Sequence, residues 1–332
     1  MKRRTFIAGA VSAAIAAPAV AQTASKMQTL AIFSPFEPQT LMHEKSSNRY
    51  YRALFAELRR LGHVEGRNLA IERYGKEQNT AGSGPLAAQV VHDKQDVVYV
   101  VGPDILDLKA RTSTIPIVAL TGDPLAQGLA KSLSHPGGNI TGVSVDTGPA
   151  IYGKRIELLR ELAPAVSKLA FLGLRGAWDG IIGRATRAAC KAAKILLVPA
   201  LLDPPTSDAG YRGAVNAAKS EGAGALIVID NPDALEHRAA IVEAAAQARL
   251  PAIYGISEFV EAGGLIAYSL DLVGLNLQAA RDIDAILRGA DPGGIPFFQS
   301  TKFELSINLK TAKALGLTVP RILLARADVV VE

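Results

Sequence analysis

Short apolar runs alternate along the chain with stretches in which apolar residues recur at helical spacing. A run rich in β-branched residues predicts a buried strand, whereas apolar residues three and four positions apart predict the inner face of a helix. The predicted strands are residues 30–33, 69–71, 96–101, 115–120, 139–145, 169–174, 196–201, 226–229, 252–254 and 303–307. Because strands and helices alternate, the pattern predicts βαβ units, and therefore an α/β protein with parallel sheets.

Helical spacing is clearest in two segments. Residues 51–61 carry apolar side chains on one face and are followed by Gly62, which suits the end of a helix. Residues 275–287 repeat this arrangement before Gly289. Shorter helices are predicted over residues 156–162 and 308–316.

One arrangement occurs twice along the chain. The strand pattern at residues 96–101 runs into the tripeptide 102–104 (GPD), and the one at residues 225–230 runs into the tripeptide 231–233 (NPD). Proline fits the first turn of a helix because its missing N–H would have no helical partner there. The repeat indicates two similar α/β halves, although βαβ units resemble one another enough to produce it by chance.

The first 21 residues are typical of a secretory signal peptide. Three basic residues precede an apolar, Ala-rich stretch at 6–17, and residues 19–21 (AVA) form a small-x-small cleavage site. The stretch is shorter than the ~20 residues of a transmembrane helix. The paired Arg3 and Arg4 favour the twin-arginine route, with the ordinary Sec route as the alternative. We expect a periplasmic protein that is not inserted in the membrane.

Composition narrows the function classes. The chain has 332 residues, of which 49% are hydrophobic, and this length suits about two domains of ~150 residues each. The net charge is +5, but Lys2, Arg3 and Arg4 supply three of the 36 basic residues, so 33 basic residues face 31 acidic ones in the remainder. A nearly neutral body does not indicate a nucleic-acid surface.

Motifs of catalysis are absent from the sequence. It has no P-loop, no Gly-x-Ser-x-Gly and no His-Glu-x-x-His, and its one cysteine, Cys190, cannot form an internal disulfide. Residues 82–87 (GSGPLA) superficially match a dinucleotide fingerprint, but a polar stretch separates them from the preceding strand, which favours an ordinary helix start. We therefore expect no enzyme, no cofactor and no metal.

Several segments of the chain beyond residue 21 resemble the periplasmic substrate-binding proteins of ABC transporters, in particular the branch that binds tryptophan or other aromatic amino acids. They are residues 61–69 (LGHVEGRNL), 114–118 (TIPIV), 123–124 (DP), 136–142 (PGGNITG), 250–254 (LPAIY), 262–265 (AGGL), 301–305 (TKFEL) and 307–316 (INLKTAKALG). The last two segments, residues 301–305 and 307–316, are the most specific to this family. Residues 102–104 (GPD) and 175–179 (RGAWD) depart from the family pattern.

The resemblance implies a type I periplasmic-binding fold, in which two doubly wound parallel-sheet lobes are joined by crossover strands and enclose a ligand cleft. Lobe 1 would comprise residues 28–147 and about 256–289, and lobe 2 residues 148–255 and about 290–332. The implied function is delivery of a small molecule, amino-acid-like or an aromatic carboxylate, to an ABC transporter permease by a monomeric protein. The alternatives are an exported sensor that feeds a membrane receptor and an exported α/β enzyme.

Strand polarity selects the candidate ligand contacts. Ligands of open α/β sheets bind beyond the carboxyl ends of the strands, where helix N-termini also favour a carboxylate. The loops at these ends contain Ser34, Phe36, Gly102, Asp104, Thr121, Asp123, Arg175, Trp178, Asp230 and Tyr254.

Most of the charged and aromatic candidates have a second interpretation. Asp123 or Asp230 suits an ammonium group and Arg175 a carboxylate, but Asp123 alternatively caps a turn and Arg175 is alternatively a solvated loop residue. Asp104 alternatively complements the dipole of the helix that it begins. The aromatic candidates, which suit stacking on a flat ligand, are alternatively packing residues of the core; they are Phe36, Trp178 and Tyr254.

We expect export to remove residues 1–21, because the cleavage site ends at Ala21. N-terminal sequencing of the exported protein should therefore begin at Gln22. Replacing Arg3 and Arg4 with Lys should block export by the twin-arginine route, whereas unchanged export would indicate Sec. An intact Met1 on the exported protein would contradict the signal-peptide interpretation.

Overall fold

The computed structural model describes residues 27–146 and 148–332, and its strands form two sheets. The strands are β1 (Gln28–Phe33), β2 (Leu69–Tyr74), β3 (Val97–Val101), β4 (Ile117–Thr121), β5 (Ile140–Ser144), β6 (Lys168–Leu174), β7 (Leu196–Leu202), β8 (Ala225–Val228), β9 (Ala252–Tyr254), β10 (Ile266–Leu270), β11 (Phe298–Gln299), β12 (Phe303–Asn308) and β13 (Val329–Val331). The predicted signal peptide lies outside the described residues.

Helices connect most of these strands. They are α1 (Arg49–Arg60), α2 (Ser83–His92), α3 (Ile105–Lys109), α4 (Ala150–Leu162), α5 (Arg175–Asp179), α6 (Ile181–Ala192), α7 (Asp208–Ser220), α8 (Pro232–Glu236), α9 (Arg238–Gln247), α10 (Glu258–Glu261), α11 (Leu272–Leu287), α12 (Leu309–Ala314) and α13 (Arg321–Ala325). None of the helices within the described ranges is both long and apolar enough to cross a membrane.

The first sheet has six strands in the order β11–β5–β4–β3–β1–β2, and its pairings are parallel. Helices α1 and α11 cover one face of this sheet, and α2 and α3 cover the other. The apolar face of α1 packs on α11 as its spacing predicts, and Asn48 begins α1 by accepting a hydrogen bond from the Tyr50 amide at 2.8 Å. We call this sheet and its helices lobe 1.

The second sheet has seven strands in the order β13–β12–β10–β9–β8–β6–β7. Its pairings are parallel except for β10 with β12, which is antiparallel. Helices α7, α9 and α10 contribute to the core on one face, and α4, α6 and α12 to the core on the other. We call this sheet and its helices lobe 2. The predicted α/β fold with two mostly parallel sheets is confirmed.

The chain passes three times between the lobes. It enters lobe 2 between β5 and α4, returns to lobe 1 between β10 and α11, and enters lobe 2 again between β11 and β12. The second and third passages are tied together, because Lys302 Nζ contacts Asp271 Oδ2 at 2.9 Å. Asp271 also begins α11 by accepting a hydrogen bond from the Gly274 amide at 2.8 Å.

The passages differ from the expected lobe boundaries at two places. Residues 256–270 were expected in lobe 1, but β10 pairs with β9 and β12 in the second sheet, so only α11 onward returns to lobe 1. Residues 290–332 were expected in lobe 2, but β11 pairs with β5 in the first sheet. These strands, like β13, were not predicted, because β11 is too short for a periodic signal and β10 contains Ala and Ser among its apolar residues.

Two smaller predictions concern single segments. Residues 83–87 form the first part of α2, and the 3-10 turn Lys76–Gln78 separates them from β2, as expected for an ordinary helix start. Cys190 is a buried residue of α6, and burial raises the pKa of its thiol to about 12. The thiol is therefore protonated at neutral pH.

Strands β4 and β5 approach each other closely at Gly142, which is paired with Ala119. Gly142 has a φ of +139°, and a Cβ atom there would lie 2.1 Å from the Ala119 carbonyl oxygen. Both the backbone conformation and the contact therefore require glycine.

We expect Gly142→Ala to destabilise the fold by about 1–3 kcal/mol, because the added methyl group must push β4 and β5 apart. Urea unfolding measures this change. Gly153→Ala is the matched control: Gly153 lies in α4, no described heavy atom is within 4 Å of its Cβ position, and alanine there should be neutral or stabilising by up to ~1 kcal/mol. Equal stabilities of the two variants would contradict the close approach.

Candidate functional site

The carboxyl ends of the two sheets face each other. Lys76, which follows β2 of lobe 1, contacts Glu236 of α8 in lobe 2, with Nζ and Oε1 3.1 Å apart. Arg49, at the start of α1, contacts Glu261 of α10, with Nη1 and Oε1 3.4 Å apart. All four residues lie in elements that follow the carboxyl ends of strands. The loops between these contacts therefore line an interlobe space, which we call the cleft.

The loop after β1 is held by the Glu37 carboxylate. This group accepts hydrogen bonds from the Ser34 hydroxyl at 2.8 Å, from the Tyr51 hydroxyl at 2.5 Å and from Asn48 Nδ2 at 3.3 Å. Burial, followed by the charge of Glu37, raises the pKa of the Tyr51 phenol, so Tyr51 remains a donor. Ser34 is thus engaged within its own loop, whereas the ring of Phe36 is 56% exposed.

The loops after β3 and β4 contain the other candidates of lobe 1. Asp104 is buried at the start of α3, burial raises the pKa of its carboxyl group, and Oδ2 has no hydrogen-bond partner among the described residues. Two residues earlier, Gly102 has a φ of +96° and open space at its Cβ position with respect to the described chain. Thr121 is buried, and its hydroxyl donates to Gln127 Oε1 at 2.8 Å.

Asp123 caps a turn. Its Oδ1 accepts hydrogen bonds from the amides of Leu125 at 2.8 Å and Ala126 at 3.1 Å. The geometry matches the second interpretation of this residue, since the carboxylate is used to satisfy its own loop.

Two candidate residues of lobe 2, Arg175 and Trp178, contact other side chains of the same lobe. Arg175 is exposed and pairs with Asp203, with Nε and Oδ1 3.0 Å apart. Trp178 packs edge-on against Phe171, with ring centroids 5.2 Å apart, and the Arg187 guanidinium lies 4.5 Å from the centre of its ring. Arg175 therefore has an acidic partner, and Trp178 is half-buried against the core of lobe 2.

Tyr254 lies in the core of lobe 2 and does not reach the surface of the cleft. Its side chain is 1% exposed and stacks on Phe259, with ring centroids 4.6 Å apart. Burial raises the pKa of its phenol. Stacking on a ligand was expected for Tyr254. In this arrangement of the lobes its ring stacks on Phe259.

Asp230 is bound by a buried arginine. The Nη1 and Nη2 atoms of Arg155 donate to Oδ1 and Oδ2 of Asp230, both at 3.1 Å. Arg155 is 0% exposed, and it also donates to the carbonyl oxygens of Tyr268 at 3.0 Å and Gly255 at 3.4 Å. Burial acts to raise the pKa of Asp230, but the charge and hydrogen bonds of Arg155 outweigh it, and the pKa is lowered.

Arg155 was missed in the sequence, although a signal was present. It lies four residues after Ile151 and four before Leu159, on the apolar face of α4. An arginine on the buried face of a helix requires an acidic partner nearby, because an unpaired buried charge is strongly unfavourable. The partner itself, 75 positions away, could not be identified from spacing.

Three cleft loops contain polar atoms that are buried and have no hydrogen-bond partner within the described ranges. Asn79 Oδ1 and Asp104 Oδ2 are acceptors on the loops after β2 and β3, and Asn231 Nδ2 is a donor on the loop after β8. Asn79 also donates to the Pro35 carbonyl at 3.1 Å, and Asn231 Oδ1 accepts from the Ala234 amide at 2.6 Å. On these three loops the atoms without a partner are acceptors in lobe 1 and a donor in lobe 2, while Arg49 Nε of lobe 1, at the interlobe contact, is also a buried donor without a hydrogen-bond partner within the described ranges.

Two other observations concern metal binding and a cavity outside the cleft. Within residues 27–146 and 148–332, no cluster of His, Cys, Asp or Glu has the arrangement needed to hold a metal ion. A cavity of about 860 Å³ lies away from the cleft, at the amino end of the first sheet, and its walls include Gln28, His63 and Pro116.

Two mostly parallel sheets whose carboxyl ends meet at a shared cleft form the two-lobed fold of the type I periplasmic-binding class. The model of the family "ABC transporter substrate binding protein" matches residues 40–331, and the chain belongs to this family. The resemblance seen in the sequence is thereby confirmed.

Individual relatives agree with this assignment. The chain is 25% identical over 295 residues to a tyrosine-binding protein of Clostridioides difficile (strain R20291), covering 83% of this chain and 79% of that protein. A conserved domain protein of Vibrio cholerae is 26% identical, with a TM-score of 0.80, over 92% of this chain and 100% of that one. An ABC domain of Streptococcus pneumonia in complex with L-Trp is 22% identical, with a TM-score of 0.78, over 92% of this chain and 99% of that one.

We expect Asp230→Asn to destabilise the fold by about 1–3 kcal/mol at pH 7, because it leaves the buried Arg155 without a countercharge. The lowered pKa of Asp230 gives a stabilisation that is present above the unfolded value of about 3.9 and is lost as the pH falls through the folded value. The variant should therefore lose less stability than the wild type on acidification from about pH 4 to pH 2.

Urea unfolding at several pH values measures both effects. Asp203→Asn is the matched control, because the Arg175–Asp203 pair is exposed and its loss should change stability by less than ~1 kcal/mol. Equal losses in the two variants would show that the Arg155–Asp230 pair does not stabilise lobe 2.

Proposed function

We propose that this protein is an exported, periplasmic substrate-binding protein that delivers an amino acid with an aromatic or apolar side chain to an ABC transporter permease. Membership of the family supports substrate binding. The ligand class is supported by two relatives, one described as tyrosine-binding and the other solved with L-Trp. Neither a catalytic step nor a cofactor is part of this proposal.

The observation that carries the ligand class is the polarity of the buried hydrogen-bonding atoms on three cleft loops that have no partner among the described residues. Lobe 1 offers the Asp104 carboxyl and the Asn79 Oδ1 acceptor, which suit an ammonium group. Lobe 2 offers the Asn231 amide donor, which suits a carboxylate. An amino acid would therefore bind with its ammonium group towards lobe 1 and its carboxylate towards lobe 2.

The apolar part of the ligand has a candidate contact in Phe36. Its ring is exposed on the loop after β1, and the Glu37 hydrogen bonds hold that loop in place. A large exposed aromatic ring on a fixed loop is suited to stacking on a ligand ring. Among the aromatic candidates, Phe36 has the fewest competing contacts, because Trp178 and Tyr254 pack on Phe171 and Phe259.

Calorimetry with L-tryptophan and L-tyrosine tests this proposal. We expect both to bind, and we expect weaker binding of analogues that lack the amino group, such as 3-phenylpropionate. Phe36→Ala should weaken binding by about 1–3 kcal/mol, and Asp104→Asn should weaken amino acids more than it weakens 3-phenylpropionate.

Glu161→Gln is a suitable control, because Glu161 pairs with Arg326 within lobe 2, outside the cleft loops. Its affinity should equal that of the wild type. Normal affinity in both Phe36→Ala and Asp104→Asn would contradict this placement of the ligand. Absence of binding by any amino acid would contradict the ligand class.

A further inference from the structure

Five polar side chains form a cluster in lobe 2, next to the loop that contains Asn231. They connect the loop after β7 and the start of α7 to α8, the short helix that follows β8. The members, which we call the Asp233 cluster, are Thr206, Asp208, Tyr211, Asp233 and His237. Helix α8 begins immediately after Asn231, whose Nδ2 is buried and has no hydrogen-bond partner among the described residues.

Asp233 lies in the first turn of α8 and ties this helix to α7. Its Oδ1 accepts a hydrogen bond from the Thr206 hydroxyl at 2.5 Å, and its Oδ2 accepts one from the Tyr211 hydroxyl, also at 2.5 Å. Tyr211 is buried, and burial, followed by the hydrogen bond and charge of Asp233, raises the pKa of its phenol, so Tyr211 remains a donor. Because a helix as short as α8 is not stable on its own, these two bonds help to fix its position.

His237, the residue that follows α8, makes the second connection. Its Nδ1 lies 2.6 Å from Asp208 Oδ1, and its Nε2 lies 3.3 Å from the Thr206 hydroxyl oxygen. The imidazole also packs on the Tyr211 ring, with ring centroids 5.2 Å apart. His237 therefore joins the end of α8 to the start of α7.

The hydrogen bonds of the cluster require a particular number of protons. Thr206 has one hydroxyl proton, which it donates to Asp233, so Nε2 of His237 bonds to Thr206 only when this nitrogen carries a proton. Nδ1 faces the carboxylate of Asp208, which accepts hydrogen bonds and does not donate them. The complete network is therefore that of an imidazolium ion with protons on both ring nitrogens.

Charged residues on the neighbouring turns of α7, α8 and α9 have partners of their own. They are Glu236, which contacts Lys76, Arg238, which donates to a carbonyl oxygen, and the pair Arg212–Glu243. The charge of the imidazolium is therefore set against Asp208 and, through Thr206, against Asp233.

We propose that the Asp233 cluster positions the Asn231 amide for the ligand's carboxylate, and that it does so most firmly when His237 is protonated. Asn231 Oδ1 accepts a hydrogen bond from the Ala234 amide, so the direction of Nδ2 follows the position of α8. When His237 is neutral, Thr206 donates either to His237 or to Asp233, and one of the two bonds is lost. This inference rests on the proposed function, because the carboxylate at Asn231 is that of the proposed ligand.

Calorimetry with L-tryptophan at about pH 5.5 and about pH 7.5 tests the cluster, because histidine side chains change charge in this range. We expect the wild type to bind roughly 2- to 10-fold more tightly at the lower pH, which is the effect of one hydrogen bond. Thr206→Val removes the hydroxyl and keeps the branched shape, so it should bind with the weaker affinity at both pH values. Thr206→Ser should restore the pH dependence.

His92→Gln is the matched control, because His92 also contacts a carboxylate, with Nδ1 3.2 Å from Asp93 Oδ1, but lies in α2 of lobe 1. It should keep the pH dependence of the wild type, whereas His237→Gln should lose it. Titration of the ligand or of Asp104 acts alike on all variants and does not produce this difference. Circular dichroism of each variant separates loss of positioning from loss of fold.

NMR spectroscopy of the ligand-free protein tests the cluster without the ligand. We expect the side-chain amide signals of Asn231 to shift as His237 titrates in the wild type, and to stay unchanged over the same pH range in Thr206→Val. The cluster has no positioning role if the Asn231 signals do not follow His237 in the wild type, or if Thr206→Val keeps the wild-type pH dependence of binding. Failure of L-tryptophan to bind the wild type at either pH would contradict the proposed function, and the NMR result would still decide the role of the cluster.

Discussion

Lobe 2 depends on one buried positive charge. Arg155 projects from α4 beneath the cleft and donates hydrogen bonds to groups at β8, β9 and β10, so a single guanidinium fixes the carboxyl ends of three neighbouring strands. A charge with no exposed surface is tolerated only when its donors are paired, and Asp230 supplies the countercharge. Gly255 is required beside this pair, because a Cβ there would lie 2.5 Å from the Asp230 Cβ. The loops that face lobe 1 are therefore set by a contact made inside lobe 2.

The pairing of charged groups within the protein determines which polar atoms are left to bind a ligand. The charged groups at the cleft edges are largely matched within the protein, as in the pairs of Arg155 with Asp230 and of Arg175 with Asp203. On the three cleft loops, the buried atoms without a partner among the described residues are a carboxyl oxygen on Asp104 and one side-chain amide atom each on Asn79 and Asn231. Binding that relies on a few directional contacts favours discrimination by shape and hydrogen-bonding pattern over attraction by net charge. The exposed ring of Phe36 fits such a site, since stacking adds affinity with little charge.

Local patterns in the sequence predicted the fold class well and the site less well. Helix α1 and strand β3 follow directly from residue spacing and β-branched content, so both were identified from short windows of sequence. Strand β10 was missed because its place depends on pairing with β12, more than 30 positions later, and this error moved the lobe boundary. The general rule for strand ends selected the loops that follow the carboxyl ends of the strands, but it does not state which side chains on these loops are already hydrogen-bonded or packed within the protein. The use of Asp123 as a turn cap and of Tyr254 as a partner of Phe259 depends on atomic contacts that residue types alone do not define.

The three passages between the lobes also have a consequence for how the protein is made. The first sheet begins with β1 at residue 28, yet the helix that covers α1 ends at Leu287 and the edge strand β11 ends at Gln299. During synthesis, the amino-terminal half of the chain leaves the ribosome before α11, which packs on the apolar face of α1, has been made. Contacts between such distant segments close large loops and form slowly. Lobe 1 therefore completes its helical cover and its edge strand only after residues 272–299 have been made, and a chain truncated before α11 would expose the apolar surface of α1 and the first sheet to aggregation.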